Sequence, residues 1–103
     1  MVMVSTDTIV TREIIEVKGL VTSSVVQSRH IGKDIFANVK SIIGGELSGY
    51  TEMLEDSKKM VQERLQKQVK EIGGNAIVGL RFELAAGKGT SELIGYGTAV
   101  VLQ

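Results

Sequence analysis

The strongest constraint on the fold is a stripe of apolar side chains at helical spacing that ends at two consecutive glycines. The stripe consists of Tyr50, Leu54, Val61, Leu65, Val69 and Ile72. These three- and four-residue intervals place side chains on one face of a helix. Ser48 or Gly49 can cap the start, and Gly73-Gly74 supplies the left-handed position that commonly follows a helix. We therefore predict an amphipathic helix between residues 48 and 73.

A second segment with a helical period precedes this helix. Its apolar positions are Ile31, Ile35, Val39 and Ile42, with Phe36 and Ile43 beside them on the same face. Ser28 can act as the N-cap, and Gly44-Gly45 ends the segment. The pattern predicts a first helix over residues 29–43.

The rest of the chain has the two-residue period of β-strands. Residues 1–4 predict a short strand, and residues 12–26 predict a long one with a bulge at Gly19. Residues 76–84 and 93–102 alternate as well, and the glycine-rich turn between them predicts a hairpin. The predicted fold is α+β, a single domain over residues 1–103 in which two helices pack on one face of an antiparallel sheet.

Strict alternation makes specific predictions about which side chains share a face. On the long strand it groups Ile15, Val17, Val21 and Val25. On the first hairpin strand it groups Ala76, Val78, Leu80, Phe82 and Leu84. Both groups are apolar, so each predicts one apolar face for its strand.

The last strand has apolar or small side chains on both of its faces. One face carries Leu93, Gly95, Gly97, Ala99 and Val101, and the other carries Ile94, Tyr96, Thr98, Val100 and Leu102. Two helices cover only one face of a small sheet, and the chain offers nothing further for the other. We therefore expect self-association. The predicted interface residues are Gly95, Gly97, Thr98 and Val100.

Composition excludes several classes of function. The chain has no Cys, which excludes disulfides, thiolate catalysis and Cys-containing metal sites. Lys plus Arg and Asp plus Glu each number 12, and the aromatic residues are two Tyr and two Phe. This balance argues against nucleic-acid binding and against attraction to an anionic membrane. With one His and no nucleophile motif, we expect no enzymatic activity.

The chain also lacks a signal peptide and an apolar run of about 20 residues, so we expect a cytoplasmic protein.

Several motifs resemble the YbjQ-like family, in order and over nearly the whole chain. They are Ser28 to Asp34, Ala37, Lys40 to Ile42, Gly44 to Glu46, Tyr50 to Glu52, Gly73 to Gly79 and Gly97 to Val100. The resemblance implies a small α+β subunit that assembles into a ring of five, and the family carries a heavy-metal-binding label. One branch of the family has two acidic residues in the strand after the second helix. This chain has Arg81 and Glu83 there, so any metal ligands must be sought elsewhere.

The candidate metal ligands are His30, Asp34 and Glu46. His30 and Asp34 are four residues apart, which places them on one face if the first helix begins that early. Imidazole and carboxylate are suitable ligands for zinc, nickel or copper, and a ring would repeat them around its axis. The alternative is structural: His30 is an exposed polar residue of the first turn, and Asp34 is favoured by the helix N-terminus.

A small anion is the other candidate ligand. Arg29 and Lys33 cluster with His30 near the predicted start of the first helix, where anions bind readily. Tyr50 could line the same pocket. The alternative is that Arg29 and Lys33 form salt bridges with Glu46 or Asp34 between subunits, and that Tyr50 is a core aromatic with its hydroxyl at the rim.

The sequence thus favours a non-enzymatic homo-oligomer that binds a divalent metal ion or a small anion between subunits. Two alternatives stay open. One is a structural or protein-interaction ring without a ligand. The other is an enzyme whose intersubunit active site depends on His30.

Overall fold

The computed structural model describes residues 1–28, 42–43, 46–87 and 90–103. The strands in these ranges are β1 (Val2–Met3), β2 (Ile14–Ser28), β3 (Ile42–Ile43), β4 (Glu46–Leu47), β5 (Ala76–Gly87) and β6 (Thr90–Leu102). One helix is present in the same ranges, α1 (Ser48–Glu71), between β4 and β5. The predicted α+β class is confirmed.

Four of the strands form a mixed sheet in the order β1-β5-β6-β2. The predicted hairpin of β5 and β6 is confirmed, and β2 lies antiparallel to β6. β1 runs parallel to β5, with Val2 opposite Ala76. The prediction of a purely antiparallel sheet is therefore wrong at this edge. The long connection through α1 returns the chain in the same direction, as parallel pairing requires.

α1 confirms the predicted helix and ends as its glycines indicate. The amide of Gly73 donates to the carbonyl of Lys70 at 3.2 Å, and the amide of Gly74 donates to that of Val69 at 2.8 Å. Gly73 has a φ of 84°. These two bonds and the left-handed glycine make a Schellman motif, which satisfies carbonyls that the last helical turn would otherwise leave unpaired.

The predicted first helix, residues 29–43, lies almost entirely outside the described residues. Its last two residues are described and are not helical, because Ile42 and Ile43 pair with Leu47 and Glu46 in a two-stranded ladder. The helical interpretation is wrong for this pair. Isoleucine is β-branched, and such side chains suit a strand at least as well as a helix. The described residues therefore contain one helix on the sheet, where two were predicted.

The main core lies between α1 and one face of the sheet. Val61, Leu65 and Val69 of the helix are fully buried. They pack against buried strand residues, namely Val21, Val25, Ile77, Leu93 and Ala99. Gly95 lies at the centre of this contact: a Cβ there would clash with the Val61 side chain and lie 3.2 Å from Leu65 Cδ1. The missing side chain thus allows the close approach of helix and sheet.

A second, smaller core covers part of the opposite face. Ala76, Val78, Val100 and Leu102 are buried there, beneath Val2, Val4, Ile9 and Ile14 of the N-terminal segment. The expectation that the chain has nothing to cover this face is wrong for the end of β6 near Leu102. The N-terminal segment is held in place by backbone bonds, including Val4 N–H to the Ile77 carbonyl and Leu80 N–H to the Val4 carbonyl, both 3.0 Å.

Three register shifts, two in β2 and one in β5, change which side chains share a face. β2 shifts register between Val17 and Gly19, where the predicted bulge is confirmed, and β5 shifts between Val78 and Arg81. Val21 consequently faces α1, whereas Val17 lies opposite Val100 on the other face. The single-face predictions for both strands are wrong, because an extra residue in one strand reverses the alternation beyond it.

No helix in the described ranges is both long and apolar enough to cross a membrane.

Candidate functional site

The candidate site is the part of the sheet that neither α1 nor the N-terminal segment covers, here called the open face. It comprises Val17, Leu20 and Val26 of β2, Arg81 and Glu83 of β5, and Ile94, Tyr96 and Thr98 of β6. The register places Leu20 opposite Thr98, and it places Arg81 opposite Tyr96. These residues therefore form one continuous surface across three strands.

The β2 side of the open face is strongly apolar and exposed. Leu20 is 74% exposed, Val17 65% and Val26 61%. Ile94, Tyr96 and Thr98 beside them are half-buried. Single exposed apolar side chains are common on protein surfaces, but three on one strand beside half-buried neighbours form a patch typical of an interface.

A polar cluster lies at the β5 side of the open face. The Tyr96 hydroxyl donates a hydrogen bond to Glu83 Oε1 at 2.8 Å. This bond raises the pKa of Tyr96 above its usual value of 10.0, and burial and the negative charge of Glu83 act in the same direction, against the opposing charge of Arg81. The Arg81 Nη1 donates to the carbonyl of Ser5 at 3.0 Å. The cluster therefore presents both signs of charge and a phenol beside the apolar patch.

The predicted metal and anion ligands are mostly outside the described residues. This applies to Arg29, His30, Lys33 and Asp34. Glu46 lies in β4, directly before α1, and pairs with Ile43. Tyr50 lies in the first turn of α1 and is half-buried. The described residues contain no group of three or more His, Asp or Glu side chains placed to hold a metal ion.

The structure separates the four predicted interface residues. Gly95 contacts α1, and a Cβ at Gly97 would lie 2.7 Å from Ile77 Cγ2 within the same chain. Val100 is fully buried beneath the N-terminal segment. Packing inside one subunit therefore accounts for the small or buried character of these three. Thr98 lies on the open face, so the interface prediction rests on Thr98 and its neighbours there.

Sequence reasoning missed Leu20, Val26 and the pair of Tyr96 and Glu83. It grouped β2 and β5 by strict alternation, which the bulges interrupt. A signal was present: Gly19 and Gly79 lie inside strand patterns, and both have positive φ, 126° and 63°. An isolated glycine in a strand often marks a bulge, so the reversal after Gly79 was accessible from the sequence.

A groove of about 290 Å³ lies on the other side of the sheet, between the first half of α1 and β5. Its apolar lining comes from Leu54, Phe82, Leu84 and Leu93. The ion pair of Glu55 and Lys58 lies among the lining residues. The groove is a second surface that lies beside the helix rather than on the open face.

Within the described residues, the fold and these surfaces define a small α+β protein, in which one helix packs on a four-stranded mixed sheet and part of the opposite apolar face is uncovered. The chain belongs to the YbjQ-like family, whose family model carries the description "Putative heavy-metal-binding" and matches residues 1–103. It is 72% identical over 102 residues to a UPF0145 protein of Bacillus licheniformis, covering 99% of each chain. It is 48% identical over 103 residues to a UPF0145 protein of Vibrio parahaemolyticus, covering 99% of this chain and 98% of the relative.

A solved structure supports the fold independently. The chain resembles the crystal structure of a protein of unknown function from the DUF74 family of Pediococcus pentosaceus, with a TM-score of 0.64. The match covers 100% of this chain and 98% of that one, at 18% sequence identity. At this identity the likeness shows a shared fold.

Proposed function

We propose that the protein is a non-enzymatic subunit of a homo-oligomeric ring of five, which binds a divalent metal ion between subunits. The observation that carries the assembly is the open face. Fully burying a Val or Leu side chain contributes about 1.5–3 kcal/mol, so covering Val17, Leu20 and Val26 would favour association substantially.

A second copy of the chain is the occupant that best fits the open face. Arg81 and Glu83 lie two residues apart there and carry opposite charges, so the face offers both signs of charge to a complementary surface of the next copy. The chain as a whole has no net charge, which removes long-range repulsion between copies. A closed ring needs two different surfaces on each subunit, and the open face supplies one of them.

The proposed metal ligands are His30, Asp34 and Glu46. One imidazole and two carboxylates suit a divalent transition metal such as zinc or nickel, which takes nitrogen and oxygen ligands. The support for this part is the chemistry of the donor set and the description of the family. A small anion held by Arg29, Lys33 and Tyr50 is the alternative ligand at the same subunit boundary.

Native mass spectrometry of the untagged protein, with and without a chelator, tests the assembly and the metal together. We expect a fivefold mass with a chelator-sensitive increment that His30→Ala, Asp34→Ala or Glu46→Ala removes while the ring survives. Parental metal binding in all three variants would contradict the ligand assignment. A fivefold mass without an increment would favour a protein-interaction ring, and turnover that depends on His30 would favour an enzyme.

A matched pair of variants tests the open face itself. Leu20→Asp places a charge on the apolar patch, and we expect it to dissociate the ring. Val10→Asp is the control, because Val10 is fully exposed but lies outside the open face. Equal dissociation by both variants, or by neither, would contradict the use of this face in assembly.

A further inference from the structure

β2 is an edge strand, and side chains of α1 form hydrogen bonds with backbone groups on its outer edge. It ends the sheet order β1-β5-β6-β2, and within the described ranges no strand pairs with its outer side. The outward amide and carbonyl groups of such a strand are a template for pairing with another chain. With 15 residues, β2 is the longest strand of the sheet, so this template is extensive.

Two side chains of α1 occupy the middle of this edge. The Gln68 Nε2 donates to the carbonyl of Thr22 at 2.7 Å, and the Thr22 amide donates to Gln68 Oε1 at 3.3 Å. The Arg64 Nη1 donates to the carbonyl of Ser24 at 2.8 Å. The side-chain amide group of Gln68 thus offers the backbone of Thr22 one donor and one acceptor, as the backbone of a neighbouring strand would.

The spacing explains why both contacts are possible. Arg64 and Gln68 are four residues apart and therefore lie on one flank of the helix. Thr22 and Ser24 are two residues apart, so their backbone groups point to the same side of the strand. Arg64 and Gln68 can therefore reach the strand edge together. Their side chains bond three backbone groups at its centre, namely the amide and carbonyl of Thr22 and the carbonyl of Ser24.

The same edge is self-complementary. If two copies of β2 paired antiparallel about a two-fold axis at Ser23, Thr22 would lie opposite Ser24 of the partner subunit. Leu20 would then lie opposite Val26 of the partner subunit, which would join two strongly exposed apolar side chains. Such a contact is isologous, with the same patch on both copies.

We propose that Gln68 and Arg64 form an edge block, which prevents a second copy of the chain from adding to β2 through its own β2. The block leaves the open face available while it closes the strand edge. It therefore directs association to the open face and away from edge-to-edge pairing, which leads to aggregation.

The test uses variants that keep an unbranched side chain but remove the polar groups that bond to the strand edge. Gln68→Met keeps the length of the side chain without its amide, and the double variant with Arg64→Met removes the whole block. Lys67→Met and Glu63→Met are the matched controls, because both residues are exposed on the same helix and neither bonds to a strand within the described ranges. The masses of parent and variants are compared over a concentration series, together with thioflavin T binding and exchange of the Thr22 amide.

We expect Gln68→Met to speed exchange of the Thr22 amide about twofold to tenfold, the effect of losing one hydrogen bond. The double variant should form species of twice the parental mass or larger and bind thioflavin T sooner, whereas the controls should behave as the parent does. A parental mass distribution in the double variant would overturn the proposal, even if Thr22 exchanges faster.

One further variant keeps the test decisive. If the double variant does not fold, the single variant Gln68→Met replaces it, since it removes both bonds to Thr22 and adds no charge at the edge. Unchanged association of that variant would also overturn the proposal. Every comparison is made with the parent's own mass, so the outcome does not depend on whether the parent is a ring of five.

Discussion

Gly95→Ala should destabilise the protein by overpacking the contact between α1 and β6. The new Cβ would clash with the Val61 side chain and lie 3.2 Å from both Leu65 Cδ1 and Phe82 Cε1. Val61 is fully buried and β-branched, so it cannot rotate away freely. Overpacking costs about 1–3 kcal/mol, and the lower entropy of the unfolded alanine chain returns about 0.4–1 kcal/mol. We expect a net loss of about 1–2 kcal/mol in the free energy of unfolding, or roughly 5–15 °C in Tm.

A double-mutant cycle isolates the contact that causes this loss. Val61→Ala alone should cost about 2–3 kcal/mol, because it removes buried methyl groups and leaves a cavity. In the double variant the methyl of residue 95 fills part of that cavity. The two costs should therefore sum to about 1 kcal/mol more than the double variant loses. Urea unfolding of all four proteins at one protein concentration measures the coupling.

A second double-mutant cycle, which combines Val61→Ala with Gly73→Ala, is the control. Gly73→Ala forces an alanine into the left-handed region at the end of α1, at a cost of about 1–2 kcal/mol. Gly73 lies about 18 Å along the helix from Val61, so this pair should be additive. A coupling between residues 61 and 95 within about 0.3 kcal/mol of zero would refute the explanation of Gly95 by close packing.

Further predictions concern single hydrogen bonds. Asn75→Ala should cost about 1–3 kcal/mol in urea unfolding, because the Asn75 side chain bonds both the amide of Leu102, at 2.7 Å, and its carbonyl, at 3.1 Å. A loss below about 0.5 kcal/mol would contradict a structural role for this pair. The raised pKa of Tyr96 means that the folded state holds the phenol proton more tightly than the unfolded state does. Its stabilisation is therefore present below pH 10.0 and is lost as the pH rises through the folded pKa. Glu83→Ala should lower the Tyr96 pKa in an NMR titration, and an unchanged value would show that the carboxylate is not the cause.

Local pattern was sufficient for the elements that residues close together in the chain define. The helical stripe and Gly73-Gly74 predicted α1 and its end, because a helix that packs on one face repeats its buried positions regularly. The hairpin followed from two alternating segments around a glycine-rich turn. The same period was misleading at Ile42 and Ile43, since two adjacent isoleucines fit a helix stripe and a strand equally well.

The candidate site was less accessible for a geometric reason. Whether Val17 or Val21 faces α1 depends on an extra residue at Gly19. A prediction from strict alternation assumes that no strand contains such an extra residue. Gly95 and Gly97 were assigned to an interface between subunits because the last strand has apolar or small side chains on both of its faces. Which surface approaches them is a property of the packed chain, and for Gly95 that surface is α1.

The sequence by itself determined the α+β class, the helix, the hairpin and the family, since each depends on residues that are close in the chain or on ordered motifs. Only the tertiary structure decided that β1 joins β5 in parallel, that residues 2–14 cover one end of the second sheet face, and that Gln68 reaches Thr22. These contacts join residues that are at least 46 positions apart in the chain. They depend on the path of the whole chain, and no local period encodes that path.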